Sequence, residues 1–168
     1  MRYFFSALLL SITFSKGSAQ NYWQQEVNYK ITVRLNDTEH SLMAYEEFEY
    51  INNSPDKLDR IYVHLWPNAY RNGKTALGRQ QYEGGETELT FGEEKNKGSI
   101  DSLDFKVNDQ KVKWEYDPQN IDIAILYLNT PLGPGERMKV STPFYVKIPS
   151  GSISRLGHID QSYQITQW

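Results

Sequence analysis

The sequence contains no cysteine among its 168 residues. This absence excludes a disulfide framework, a thiolate metal site and a cysteine nucleophile. An excess of basic side chains is also lacking, because 18 Lys and Arg residues face 21 Asp and Glu residues and the formal net charge is -3. Domains that bind nucleic acids usually carry a basic surface, so we predict no nucleic-acid partner.

Long hydrophobic runs are equally scarce, and the clearest one lies at the start of the chain. Arg2 precedes an apolar stretch over residues 3–14, and the small residues Gly17, Ser18 and Ala19 follow it. The stretch is shorter than the about 20 residues that cross a bilayer, and this order is typical of a secretory signal peptide. A buried terminal strand or helix is the alternative interpretation.

We therefore expect a signal peptide over residues 1–19, cleaved after Ala19, and a mature domain over residues 20–168. No later stretch has the length and hydropathy of a membrane span. The predicted location is secreted or periplasmic, without a membrane span after cleavage.

Helical periodicity is lacking too, and no segment predicts an amphipathic helix of any length. Period-two alternation recurs instead. It predicts a half-buried strand over residues 27–35, a second strand over 41–51 that pairs antiparallel with it, and a third over 60–66 that ends at Pro67 and is covered on both faces. Further strands are expected near residues 100–107, 112–116, 121–128, 138–148 and 163–168. This pattern predicts an all-β, antiparallel β-sandwich.

The pattern is lost between residues 68 and 98, where glycines alternate with charges of both signs. The segment is longer than an ordinary connection of about 4–6 residues. It is either a solvated, partly disordered insertion or a loop that contacts another domain or a ligand.

The sequence offers no recognisable catalytic or metal-binding group. The three histidines, His40, His64 and His158, form no pair at helical i, i+4 spacing of the kind that holds zinc. Of these, His158 is the best candidate for a functional role. Glu46 and Glu47 are adjacent in a predicted strand and point to opposite faces, so they cannot act on one bond together. We expect one of the two to be solvated and the other salt-bridged or at a sheet edge.

Three parts of the sequence resemble a known family. They are residues 22–29 (YWQQEVNY), residues 61–70 (IYVHLWPNAY), and the stretch from 154–159 (SRLGHI) through 163–168 (YQITQW). Together they resemble the amino-terminal domain of family M1 zinc metallopeptidases, in particular the secreted, Bacteroidetes-type aminopeptidases. The likeness covers nearly the whole mature chain, and its most specific parts are the block at 64–70 and the closing run.

The resemblance implies a saddle-like β-sandwich that precedes a thermolysin-like catalytic domain. In the family, zinc is held by His-Glu-x-x-His and a further Glu, and it polarises the scissile carbonyl while the motif Glu activates water. None of these residues is present here. The resemblance therefore implies no cofactor in this chain, zinc in the full-length protein, and two partners: the catalytic domain of the same protein and a peptide substrate.

The resemblance also implies one substrate contact from this domain. In the family, a Gln or Glu near the last strand holds the free amino end of the substrate, and an amide or carboxylate oxygen suits an ammonium group that offers three donors. Gln167 is the best candidate and Gln164 a weaker one; an ordinary strand residue is the alternative. A strand face around Trp66 or Trp168 is expected to pack on the catalytic domain.

The sequence pattern runs into Trp168 without a turn, from which we expect a fragment that is incomplete at its C-terminal end. Two other functions stay open. One is a free-standing β-sandwich module for binding or adhesion, in which exposed aromatic side chains form a platform for a sugar or a peptide. The other is the scaffold domain of an M1 relative that has lost its zinc residues.

Overall fold

The computed structural model describes residues 22–154 and 156–166. The predicted signal peptide over residues 1–19 lies outside these residues. The strands are β1 (Glu26–Asn36), β2 (Ser41–Ile51), β3 (Leu58–His64), β4 (Ser99–Asp101), β5 (Lys106–Val107), β6 (Gln110–Lys111), β7 (Lys113–Tyr116), β8 (Ile123–Leu132), β9 (Arg137–Lys147), β10 (Gly157–Ile159) and β11 (Ser162–Gln164). Two α-helices, α1 (Ala76–Glu83) and α2 (Glu88–Phe91), and two 3-10 helices, Trp66–Tyr70 and Glu94–Asn96, lie between β3 and β4.

The strands form two main antiparallel sheets and a hairpin. The larger sheet has the order β1-β2-β9-β5-β6, with β4 also paired to β9, and the smaller one has the order β3-β8-β7. Strands β10 and β11 pair separately. The predicted first two strands and their antiparallel pairing are confirmed, since β1 and β2 pair over eleven residues from Glu26↔Ile51 to Asn36↔Ser41.

The core lies between the two sheets, which makes the architecture the predicted all-β sandwich. Alternate residues of β2 and β9 face β3 and β8 across this core, because successive strand side chains point to opposite faces. The buried members include Phe48, Ile61, Leu126, Val140 and Phe144.

The apolar face of β1 differs from the prediction of a half-buried strand. Tyr29, Ile31, Val33 and Leu35 stand on the same side of the sheet as the core residues of β2, yet their exposed fractions run from 39% to 62%. The smaller sheet ends at β3 and has three strands against six, so it leaves β1 uncovered. An exposed run of large apolar side chains of this kind marks an interaction surface.

The third strand was also predicted with errors. It ends at His64, and Trp66 begins a 3-10 helix in which Pro67 occupies the first turn, a position where its missing N–H costs nothing. The outer face of β3 is open rather than covered, since Tyr62 is 61% exposed.

The segment over residues 68–98 is helical and packed, so both the prediction of a solvated insertion and the predicted absence of helices were wrong. Thr75 caps α1 by accepting a hydrogen bond from the Gly78 amide at 3.0 Å. A second apolar cluster, formed by Tyr70, Leu89, Ile153 and Leu156, holds the segment to the loop before β10. Helix α1 has only eight residues and contributes Leu77 to this cluster. Its sequence therefore shows no apolar residues repeated at the 3.6-residue spacing from which a helix is predicted.

Asn52 joins the end of β2 to the end of β8. Its Nδ2 donates to the carbonyls of Asp56 (2.8 Å) and Leu132 (3.0 Å), while its Oδ1 accepts from the amide and hydroxyl of Ser54 and from Gln25 Nε2. Asn52 is fully buried. Although Asn52 begins a glycosylation sequence pattern, its side chain is inaccessible to a glycan in the folded chain.

We predict that Asn52→Ala lowers the free energy of unfolding by about 3 kcal/mol, because it leaves buried carbonyls and an amide without partners. Urea denaturation followed by circular dichroism measures this loss. Asn53→Ala is the matched control: Asn53 is exposed and its side chain donates one hydrogen bond to the Gln24 carbonyl. Equal losses in the two variants would contradict a special role for the buried amide.

Candidate functional site

A cavity of about 510 Å³ opens between the uncovered face of β1 and the edge strand β3. We call it the aromatic groove, because tyrosine, phenylalanine and tryptophan rings form much of its wall. It is lined by Val27, Tyr29, Ile31, Glu46, Phe48, Tyr50, Ile61, Tyr62, Val63, His64, Leu65, Trp66, Ile100, Leu103, Phe105, Phe144 and Thr166.

Sheet register sets the floor of the groove. Tyr29 pairs directly with Phe48 across β1 and β2, and their ring centroids lie 5.4 Å apart. Directly paired residues of an antiparallel sheet share one face, so the next position on that face of β2 is Glu46, which pairs with Ile31. The groove floor is therefore apolar except for one carboxylate.

The rim at Trp66 is held by a buried asparagine. Asn68, in the 3-10 helix that begins at Trp66, donates to the carbonyl of Ile121 at 3.2 Å and accepts from the amide of Ile100 at 3.1 Å. It thereby ties the helix to the lead-in of β8 and to β4. The Trp66 ring stacks on His64 with centroids 4.6 Å apart and an interplanar angle of 9°.

The surroundings of Glu46 shift the pKa values of two groups in the groove. Burial raises the pKa of the Glu46 carboxyl above its usual range. Burial, with a smaller contribution from the charge of Glu46, raises the pKa of Tyr29. Both shifts have the same origin, since a low-dielectric wall disfavours the charged form of an acid.

Glu46 and Glu47 point to opposite faces as predicted. Glu47 lies on the outer face and forms an ion pair with Lys139 at 3.5 Å. Because Glu47 is the ion-paired carboxylate, the prediction makes Glu46 the solvated one. Glu46 is instead half-buried on the apolar face. Alternation gave the opposite orientations, but the sequence does not say which of the two adjacent carboxylates faces the core side.

The two predicted substrate-binding residues fall in different parts of the structure. Gln164 ends β11, is exposed, and lines a second cavity of about 350 Å³ together with His158 and Tyr163. Gln167, the better candidate, lies outside the described residues, as does Trp168. Thr166, the last described residue, lines the aromatic groove.

His40, His158 and Tyr163 form a cluster beside the second cavity. The two imidazole rings stack with centroids 3.6 Å apart, and the His40 Nδ1 lies 2.7 Å from the Tyr163 hydroxyl. The His158 Nδ1 is buried and has no hydrogen-bond partner among the described residues. The cluster connects the β1–β2 turn to the β10–β11 hairpin, a contact that sequence reasoning did not predict.

Within residues 22–154 and 156–166, no three His, Asp or Glu side chains lie together in an arrangement that could hold a metal ion. His64 stacks on Trp66, and His40 stacks on His158. In the same described residues, no helix has the length and hydropathy needed to cross a membrane.

No family model matches the chain, and no curated protein matches it. Similar solved structures include an M1 zinc metallopeptidase mutant from Deinococcus radiodurans (15% identity), a two-domain M1 zinc metallopeptidase mutant bound to L-arginine (15%), and the Deinococcus radiodurans mutant bound to a Tyr-Ser-Ala substrate (16%). Each match has a TM-score of 0.44 and covers 74% of this chain but 21% of the other. At this level the likeness does not establish a family for the chain.

The histidine cluster generates a prediction on pH. Burial, and secondarily the charge of nearby His40, lowers the pKa of His158 below its usual 6.5, against a smaller opposing effect of Asp160. Below about pH 6.5 the unfolded chain therefore binds more protons at this position than the folded chain. The contribution of His158 to stability is complete above this pH and declines as the pH falls.

Between pH 8 and pH 5.5, we expect the free energy of unfolding of the wild type to fall by more than that of His158→Phe. Phenylalanine keeps a ring against His40 without a titrating group. Urea titrations at each pH measure the difference, and titration of groups shared by both chains, such as Glu46, largely cancels. A difference that does not vary with pH contradicts the prediction.

Proposed function

We propose that this chain is the amino-terminal, substrate-facing domain of an exported, zinc-dependent aminopeptidase of the M1 type. The full protein removes N-terminal residues from peptides. Its zinc and catalytic residues lie in a following domain, and this domain supplies one wall of the substrate site. The proposal includes a signal peptide over residues 1–19 and a secreted or periplasmic location.

One observation carries the proposal. The three sequence segments that resemble the M1 family are far apart in the chain, yet each contributes to the aromatic groove. Val27 and Tyr29 come from the first segment, His64 and Trp66 from the second, and Thr166 from the closing run. Segments that share a functional surface are expected to meet in the folded structure, whereas segments that are alike by chance would lie at unrelated positions.

The uncovered face of β1 supports a second domain as the partner. Four consecutive inward-facing apolar residues of β1 are exposed, and Trp66 is 39% exposed at the other side of the groove. A stable monomer rarely leaves such a contiguous surface in water. A packed domain over this surface removes it from solvent and brings the closing run to the domain boundary.

Gln167 is proposed to hold the free amino end of the substrate. Thr166, its neighbour in the sequence, lines the aromatic groove, which supports this role. An amide oxygen accepts a hydrogen bond from the substrate ammonium. Gln164 is the weaker candidate, because it lines the second cavity rather than the groove.

A free-standing binding module is the second candidate function. The aromatic groove favours it, since ligand pockets are concave, mostly apolar and lined by aromatic side chains with few polar groups. Such a module should be monodisperse alone and retain a ligand. A domain that packs on a catalytic partner should instead self-associate or aggregate through β1 when isolated.

The test is to read the coding sequence past the codon for Trp168, express the longer protein, and assay release of the N-terminal residue from aminoacyl p-nitroanilides. We expect a His-Glu-x-x-His motif with a downstream Glu, and activity that a chelator abolishes. Gln167→Ala should lower kcat/KM by about tenfold to a hundredfold, or about 1.4–2.7 kcal/mol of transition-state stabilisation.

Gln119→Ala is the matched control, because Gln119 lies in an exposed turn before β8. It should leave kcat/KM unchanged. A reading frame that stops at Trp168, or a longer protein without peptidase activity, overturns the enzyme proposal and leaves the binding module or the inactive scaffold. Unchanged kcat/KM in Gln167→Ala overturns the role of that residue alone.

A further inference from the structure

Glu46 occupies an unusual position for a carboxylate. On the inner face of the larger sheet it lies between Ile31 of β1 and Thr142 of β9, its direct cross-strand partners. The next residues of β2 on that face are Ala44 and Phe48. An apolar side chain at this position would extend the core without interruption.

No side chain in the described part of the chain pairs with Glu46. It forms no hydrogen bond or ion pair with residues 22–154 or 156–166, and burial is the cause of its raised pKa. Thr142, its polar neighbour, is engaged elsewhere: its hydroxyl accepts from the Asp104 amide and donates to the Pro143 carbonyl. The half-buried carboxylate therefore gives up part of its hydration without a compensating partner among the described residues, an arrangement that costs stability in the isolated chain.

The opening above Glu46 suits a long side chain with a charged end. The groove that contains Glu46 is also lined by the rings of Tyr29, Phe48, Tyr50 and Trp66. Apolar rings accommodate a methylene stem, and their faces attract a cation. Glu46 is the one carboxylate among the described residues of the groove, so it supplies the site with a single negative charge.

We propose that the aromatic groove is the docking site for a surface segment of the following domain that inserts one Lys or Arg side chain between apolar neighbours. The cationic end pairs with Glu46, and the stem and flanking residues cover Tyr29 and Ile31. The identity of the partner rests on the proposed function, while its chemistry follows from the groove. The pair explains a carboxylate on a face that is otherwise apolar.

The first experiment uses the predicted mature chain, residues 20–168, and two probe peptides, acetyl-Leu-Arg-Leu-amide and the same peptide with citrulline, which keeps the shape of arginine without its charge. Binding is followed by chemical shift changes in a spectrum of the labelled protein. We expect the arginine peptide to bind at least about tenfold more tightly, as one charge-assisted hydrogen bond allows. Equal affinities overturn the proposal.

Two variants of adjacent residues make the test specific. Glu46→Gln should remove the preference for arginine over citrulline, whereas Glu47→Gln should retain it, because Glu47 lies on the opposite face and pairs with Lys139. Glu46→Leu should raise the melting temperature of the isolated chain while also removing the preference. Loss of the preference in both glutamine variants, or a lower melting temperature in Glu46→Leu, contradicts the proposal.

A second copy of this chain is the competing occupant. Sedimentation velocity over a hundredfold concentration range detects it, and a dimer that Glu46→Gln dissociates overturns the proposal. The peptide assay does not depend on peptidase activity. If the longer protein is an active peptidase but the groove does not prefer arginine over citrulline, this inference alone is overturned. If the groove prefers arginine but the longer protein has no peptidase activity, the proposed function alone is overturned.

Discussion

The register of β2 with its two neighbours is the constraint on which the rest of the structure depends. Strand β2 pairs over eleven residues with β1 on one side and with β9 on the other. Because side chains alternate, a slip of one residue would exchange the two faces of the strand. Leu42 and Phe48 would leave the core, and Glu47 would replace Glu46 above the groove. The core and the chemistry of the groove are thus fixed by the same hydrogen-bond ladder.

The groove exists because the two sheets differ in width. Six strands face three, and the smaller sheet ends at β3. The inner face of β1 therefore extends past the sandwich core, and its apolar residues meet water rather than a second sheet. Trp66 and its stacked neighbour His64 border the opening from β3. A sandwich with equal sheets would bury the same residues as ordinary core.

The sequence predicts the strands well and the helical segment poorly, for physical reasons. The alternation from Val27 to Leu35 directly reflects a period-two structure, and the turn residues after it define the hairpin. The 66–98 segment is held instead by caps, a close approach at Gly78, where a Cβ would lie 2.5 Å from the Asn72 carbonyl oxygen, and a few contacts to Ile153 and Leu156. The contacts to Ile153 and Leu156 join residues that are distant in sequence, so no local sequence pattern predicts them.

The candidate site, too, is only partly predictable from the sequence. The blocks around Tyr29 and Trp66 carry the family resemblance in the sequence, but their convergence in one groove depends on topology. Glu46 is the clearest case. Alternation shows that the side chains of Glu46 and Glu47 point to opposite faces of β2, but it does not show which of these faces is covered. A carboxylate held on an apolar face conflicts with the local pattern, and such conflicts in natural proteins tend to occur at functional sites. Stability of the isolated domain would favour leucine at position 46. The acidic residue there is best explained by a surface shaped for a cationic partner rather than for water.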